Sequence, residues 1–262
     1  MIPAIILFLL YTSSAWAMLR SVKQPRLEPL AWILILIALI GHSDVIMHMM
    51  RVNARFSIGL LEAMSLLGWT LAVLACVVSI DKQNRVLGAI LMLSAAVGAA
   101  MSGAGPSYVE ATAGWELTAH ILLSMGAAAL LFAAAVTAIL LVVLDRRLRT
   151  RRIADLSSAL PPLDALEKIM FRLVGAGFGL LTLALITGFV FVTNLFAQNL
   201  VQKTVLSLIA WLIFGVLLIG RLRFGWRGRS AVRWTLSGFG ILAVAYFGVK
   251  FVLEYLFGRH WG

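Results

Sequence analysis

The sequence predicts an all-α, polytopic transmembrane bundle of about eight spans, forming a single integral membrane domain over residues 1–262 with both termini outside. Three observations carry this reading. Hydrophobic residues make up 62% of the chain and charged residues only 13%, with a mean hydropathy of +1.00. Apolar runs reach or approach the roughly 20 residues needed to cross a hydrocarbon core of about 30 Å. Lysine and arginine gather in alternate connections, as cytoplasmic loops do under the positive-inside rule. The spans fall at about 2–19, 30–49, 57–79, 86–101, 115–144, 170–197, 203–220 and 232–256.

The first span ends in Ala15-Trp16-Ala17, which imitates a signal-peptidase site. A signal peptide carries basic residues ahead of its apolar region. Here Arg20, Lys23 and Arg26 follow the span instead, so a retained helix with an outward N-terminus is expected. The second span holds His42, Asp44 and, at its outer boundary, His48. Residues 42 and 44 point about 200° apart on a helix and do not work directly together. The third span carries Glu62, Trp69 and Cys76, the single cysteine. One cysteine allows neither an intramolecular disulfide nor a C-x-x-C pair, and Cys76 reads as a small core residue. In the fourth span, Ala95-Ala96 and Ala99-Ala100 permit close helix contacts. The Ser102–Gly114 loop has Glu110 as its only charge and reads as a flexible or tightly turned outer link.

The fifth span begins at Trp115 and places His120 five residues in. In the polar connection from Asp145 to Lys168, Pro161-Pro162 ends one segment. Asp164 and Glu167 suit the first turn of another, here expected as a short interfacial helix. Spans seven and eight flank an arginine-rich hairpin built on Gly225-Trp226-Arg227-Gly228, with Trp226 expected as an interfacial anchor.

The net charge of +11 does not indicate a nucleic-acid partner, because its distribution is topological. Of 22 basic residues, the 20–26 loop holds three, 82–85 two, 146–172 seven and 221–233 five. Only Arg51, Arg55, Lys203, Lys250 and Arg259 remain for the other side. Hydrolysis and phosphoryl transfer have no support, since G-x-x-x-x-G-K-[ST], H-E-x-x-H and G-x-S-x-G are all absent.

All four histidines fall near the expected outer face. His42 lies roughly 10 Å and His120 roughly 8 Å deep, at 1.5 Å per residue. His48 is at the boundary, and His260 is in the tail. Two imidazoles at matched depth on different helices suit the axial positions of one haem iron. A lone intramembrane histidine equally serves as a hydrogen-bonding partner between helices. The outer cations Lys203, Arg51, Arg55 and Arg259 suit haem propionates, or simply snorkel to the interface. Trp115 and Trp211 suit an aromatic cleft wall, whereas tryptophans also gather at interfaces without any ligand.

The stretch from Lys203 to Leu253 consists of an apolar span, the arginine hairpin, and a second span closing on Tyr246-Phe247-Gly248-Val249. It resembles the final helices of the cytochrome c assembly (CcsA-like) family. Trp115-Glu116-Leu117-Thr118-Ala119-His120 resembles that family's outward helix, in which a histidine soon after the helix start contacts haem. Phe56–Leu66 resembles the helix before it. The best match is the compact YpjD/HemX-type branch, which the leucine-proline-proline-leucine run before Glu167 and Gly188-Phe189-Val190-Phe191 also fit.

The chain departs from the family's synthases in lacking the tryptophan-rich WWD signature before Lys203. Gln202 stands where the compact branch commonly has histidine, and glutamine is a poor iron ligand. Ile219 and Gly220 replace a synthase histidine after the penultimate span. The resemblance therefore implies a bacterial inner-membrane protein that binds or handles haem without synthase chemistry of its own. It would support cytochrome c maturation or haem homeostasis, with His120 as first ligand and His42 or His260 as second. Besides lipid and haem, another membrane protein of cytochrome assembly is the implied partner. Two other classes share the composition: a ligand-free structural or regulatory subunit, and a transporter of haem or a small solute.

Overall fold

The computed structural model describes residues 2–52, 60–102, 115–149, 162–191 and 200–248. They form α1 (Ile2–Ser21), α2 (Glu28–Val52), α3 (Leu60–Ser79), α4 (Arg85–Ala100), α5 (Trp115–Arg149), α6 (Leu163–Phe191), α7 (Leu200–Phe224) and α8 (Arg229–Ala243). A π-helical turn, Val244–Gly248, continues α8. No strand occurs among the described residues, and α1 to α7 are long and apolar enough to cross a membrane. The expected eighth span extends beyond α8 into residues outside the described set, as do the 103–114 loop, Arg55, Arg259 and His260.

The helices pack into two compact units, α1–α4 and α5–α8. In the first unit, α1 packs on α2 and α4, and α3 packs on α4. The α3–α4 contact is a backbone contact. A Cβ added to Gly98 would lie 2.7 Å from Gly68 Cα, and one added to Gly68 would lie 2.9 Å from Gly98 Cα. Ala95, Ala96 and Ala99 are fully buried around this crossing, so the small-residue cluster serves contacts within the chain. At one end of the unit, Arg85 on α4 is only 3% exposed. It forms a close ion pair with Glu28 of α2, and its Nη1 donates to Ser21 Oγ of α1 at 3.3 Å. A guanidinium is tolerated in such a place because its charge is paired. Cys76 is half-buried and free.

In the second unit, α5 packs on α6 and α8, and α7 packs on α6 and α8. Alanines 127, 133, 134 and 138 of α5 are fully buried, and Gly177 of α6 receives Leu131 at a spot where a Cβ would be 2.7 Å away. The arginine hairpin is confirmed. Gly225 and Gly228 both take positive φ, at 64° and 61°, a conformation that glycine adopts without steric cost. Glu167 clamps the hairpin from α6. Its Oε1 accepts from Arg221 Nη1 at 2.9 Å and its Oε2 from the Gly228 amide at 3.2 Å. Trp226 stacks on Trp234 with centroids 5.5 Å apart and lies against Gly220, where a Cβ would be 2.4 Å from its ring. It is thus part of the packed hairpin and not merely an interfacial anchor.

Two boundaries differ from expectation. Helix α6 starts at Leu163, directly after Pro162, so Asp164 and Glu167 open α6 itself and not a separate interfacial helix. The expected span began at about residue 170, inside what is α6. Long basic side chains reach the interface from within a helix, so the ladder passes through them. Helix α5 likewise continues past Asp145 to Arg149.

Candidate functional site

Alternation of up and down helices brings the start of α5, the end of α6, the start of α7 and the turn after α8 to one end of the second unit. Each contributes a polar residue. His120 of α5 places Nδ1 3.1 Å from Thr187 Oγ1 of α6. The Thr187 hydroxyl proton is committed to its own helix, to the carbonyls of Leu183 at 2.9 Å and Ala184 at 3.0 Å. Oγ1 therefore accepts from His120, which assigns the ring proton to Nδ1 and the lone pair to Nε2. Fixing one nitrogen as donor to prepare the other as a metal ligand is the common second-shell arrangement of ligating histidines. Gly188 leaves room for the ring, since a Cβ there would be 3.1 Å from His120 Cε1.

Lys203 lies in the first turn of α7, at the same end of the second unit. Its Nζ lies 5.3 Å from the centroid of the Tyr246 ring, within the range of a cation–π contact. Tyr246 shares a hydrogen bond with the Ser124 side chain, one helical turn beyond His120 on α5. Further along α7, Trp211 donates from Nε1 to Thr182 Oγ1 at 2.8 Å and stacks on Phe178 with centroids 5.4 Å apart. Thr187, Ser124 and Tyr246 were not singled out as site residues by sequence reasoning. The signal available was Thr187-Gly188, a hydroxyl followed by a missing side chain near an apolar helix end.

His42 occupies a different setting, in the first unit. It is fully buried, with Nδ1 3.2 Å from the Tyr11 hydroxyl and Nε2 3.0 Å from Ser65 Oγ. Both ring nitrogens are engaged, and the imidazole ties α1, α2 and α3 together. Asp44 is exposed, as the 200° offset from His42 requires. In the same unit Trp69 donates to Ser43 Oγ at 2.9 Å. His48 and Gln202 are exposed, Trp115 is 73% exposed, and Arg51 sits in the last turn of α2.

The donor set has a definite chemical meaning. No group of three or more histidine, cysteine, aspartate or glutamate side chains that could hold a metal ion occurs among the described residues, so a bare ion has no cage there. An iron already held by a macrocycle would need few further ligands from the protein, and the oriented imidazole of His120 could supply one.

Residues 57–257 match the model of the family described as Cytochrome C assembly protein. The chain belongs to this family. It is 34% identical over 202 residues to the inner membrane protein YpjD of Escherichia coli K12, covering 76% of each chain. It is 33% identical over 130 residues to the cytochrome c biogenesis protein CcsA of a Synechococcus strain, covering 44% of this chain and 37% of that one. An uncharacterized 28.8 kDa protein of Azospirillum brasilense is 35% identical over 141 residues. No solved structure matches significantly. The family match includes His120, Thr187, Lys203 and Tyr246, whereas Tyr11 and His42 precede it.

Proposed function

We propose that this protein is a multi-pass inner-membrane protein that binds haem at the His120 end of its second unit and so serves cytochrome c maturation. The observation carrying the proposal is the His120–Thr187 hydrogen bond, which would leave Nε2 to hold the iron of a bound haem. Haem, when bound, supplies an iron centre and a reactive porphyrin edge. The chain supplies orientation through Thr187, apolar and aromatic surroundings through Phe178 and Trp211, and a cation through Lys203. His42 is given a structural role, because Tyr11 and Ser65 occupy both of its nitrogens. The printed names of the CcsA relatives and the family description support the assignment to cytochrome c maturation. Handling rather than thioether formation is assigned, since the WWD signature is missing and Gln202 replaces a histidine of the compact branch.

The test is genetic. Deleting the gene in its host should reduce covalently attached haem in c-type cytochromes on denaturing gels. Wild-type protein should restore it and His120→Ala should not. Normal cytochrome c levels in the deletion strain would refute the role in maturation.

A further inference from the structure

Five arginines lie between Arg221 and Arg233, and the packing engages only two of them. Arg221 turns inward. Its Nη1 donates to Glu167 Oε1 at 2.9 Å and to the Trp226 carbonyl at 3.2 Å, and its guanidinium lies 4.7 Å from the Phe171 ring centroid. Arg229 reaches Asp145 of α5 at 3.9 Å. Arg223, Arg227 and Arg233 are exposed and form no ion pair among the described residues.

These three side chains extend from a held frame. Glu167 also accepts from the Gly228 amide, the Trp226 amide donates to the Gly220 carbonyl at 3.1 Å, and the Trp226 ring stacks on Trp234. The hairpin closes α7, whose Val201–Phe224 stretch is long and apolar enough to cross a membrane. Leu222 and Phe224, 84% and 73% exposed, flank Arg223 there. Apolar side chains and unpaired cations together at the end of a span meet the level where acyl chains give way to headgroups.

We propose that this hairpin is a seat for anionic phospholipid, with Arg223, Arg227 and Arg233 taking headgroup phosphate and Leu222 and Phe224 lying against the acyl chains. A guanidinium suits phosphate because its planar fork donates parallel N–H bonds to two oxygens. An anionic headgroup is favoured over a zwitterionic one, which carries its own cation beside the phosphate. Basic residues that only set topology need neither a held frame nor flanking apolar side chains. The inference is independent of the haem reading, since the hairpin lies at the other end of α7 from Lys203.

The experiment purifies the full chain in mild detergent, strips it of lipid, and adds phosphatidylglycerol or phosphatidylcholine of identical acyl chains. Bound lipid is counted by native mass spectrometry. Wild type should hold phosphatidylglycerol about tenfold more tightly, the scale expected when basic residues meet an anionic headgroup. Arg223→Gln, Arg227→Gln and Arg233→Gln together should lose that preference. Arg20→Gln, Lys23→Gln and Arg26→Gln together make the same change of charge on the α1–α2 connection and should keep it. A melting curve checks that each protein is folded. If the combined hairpin variant does not fold, the three single variants replace it, each expected to lose about twofold. Equal binding of both lipids by wild type would overturn the proposal, as would unchanged preference in the folded hairpin variants. Equal losses in the two combined variants would also overturn it, because bulk charge and not the hairpin would then attract the lipid. Millimolar glycerol 3-phosphate should leave phosphatidylglycerol bound. Displacement would assign the arginines to a soluble phosphate ligand and contradict the lipid seat.

Discussion

His120 of α5 donates from Nδ1 to Thr187 of α6 across 3.1 Å, and Thr187 can accept because its own proton is spent on α6 carbonyls. This hydrogen bond fixes both the tautomer and the angle of the imidazole. In Thr187→Val the shape is retained and the acceptor lost. Haem affinity should fall about 10- to 100-fold, the usual cost of removing an outer-shell partner of a metal-ligating histidine. Thermal stability should change little. An unaltered titration curve would show that the threonine does not orient the ligand.

The Gly68–Gly98 crossing predicts a sharp contrast between glycines. Gly98→Ala must push α3 and α4 apart, since its Cβ would sit 2.7 Å from a backbone carbon. A loss of about 1–3 kcal/mol is expected for such overpacking. Gly175→Ala on α6 meets nothing within 4 Å and should be neutral or stabilising, because alanine is the better helix former. Unfolding in detergent, with both variants side by side, checks the pair.

Glu167 joins α6 to the hairpin through two acceptors. Glu167→Gln removes the charge opposite the half-buried Arg221 and should cost about 1–3 kcal/mol locally. Limited trypsin digestion read by mass spectrometry should then show faster cleavage after Arg227 and Arg229, with cuts elsewhere unchanged. An unchanged rate at those two sites would show that the hairpin is held by other contacts.

His42→Leu separates the two histidines. It strands the Tyr11 and Ser65 hydroxyls in a buried setting, at a cost of about 1–3 kcal/mol for each group left unsatisfied. The melting temperature should drop while haem affinity stays within twofold. Loss of the haem signal in a folded His42→Leu protein would return His42 to the list of iron ligands.

Much of the fold was legible because the membrane simplifies the problem. Every backbone group in lipid must be satisfied internally, so a long apolar run such as 115–144 had one structural solution. Gly225 and Gly228 announced the hairpin, and Pro161-Pro162 the start of α6. Helix ends were read too short wherever charged residues continued a helix into the interface, as at Arg149 and Lys168. At the site, His120 stood out as a polar group near the start of an apolar helix. Its partner Thr187 is 67 residues away, and the partners of His42 lie 31 and 23 residues away. Helical periodicity says nothing about which faces of distant helices meet. The contacts of His42 with Tyr11 and Ser65, and of His120 with Thr187, therefore needed the packed helices.

The most direct test of the central claim is an absorption spectrum of the purified protein, oxidised and reduced, after haem addition and removal of the excess, beside His120→Ala. A Soret band in wild type that collapses or shifts in a folded His120→Ala protein is the predicted result. No band in wild type, or the same band in both proteins, would contradict the claim that His120 holds haem.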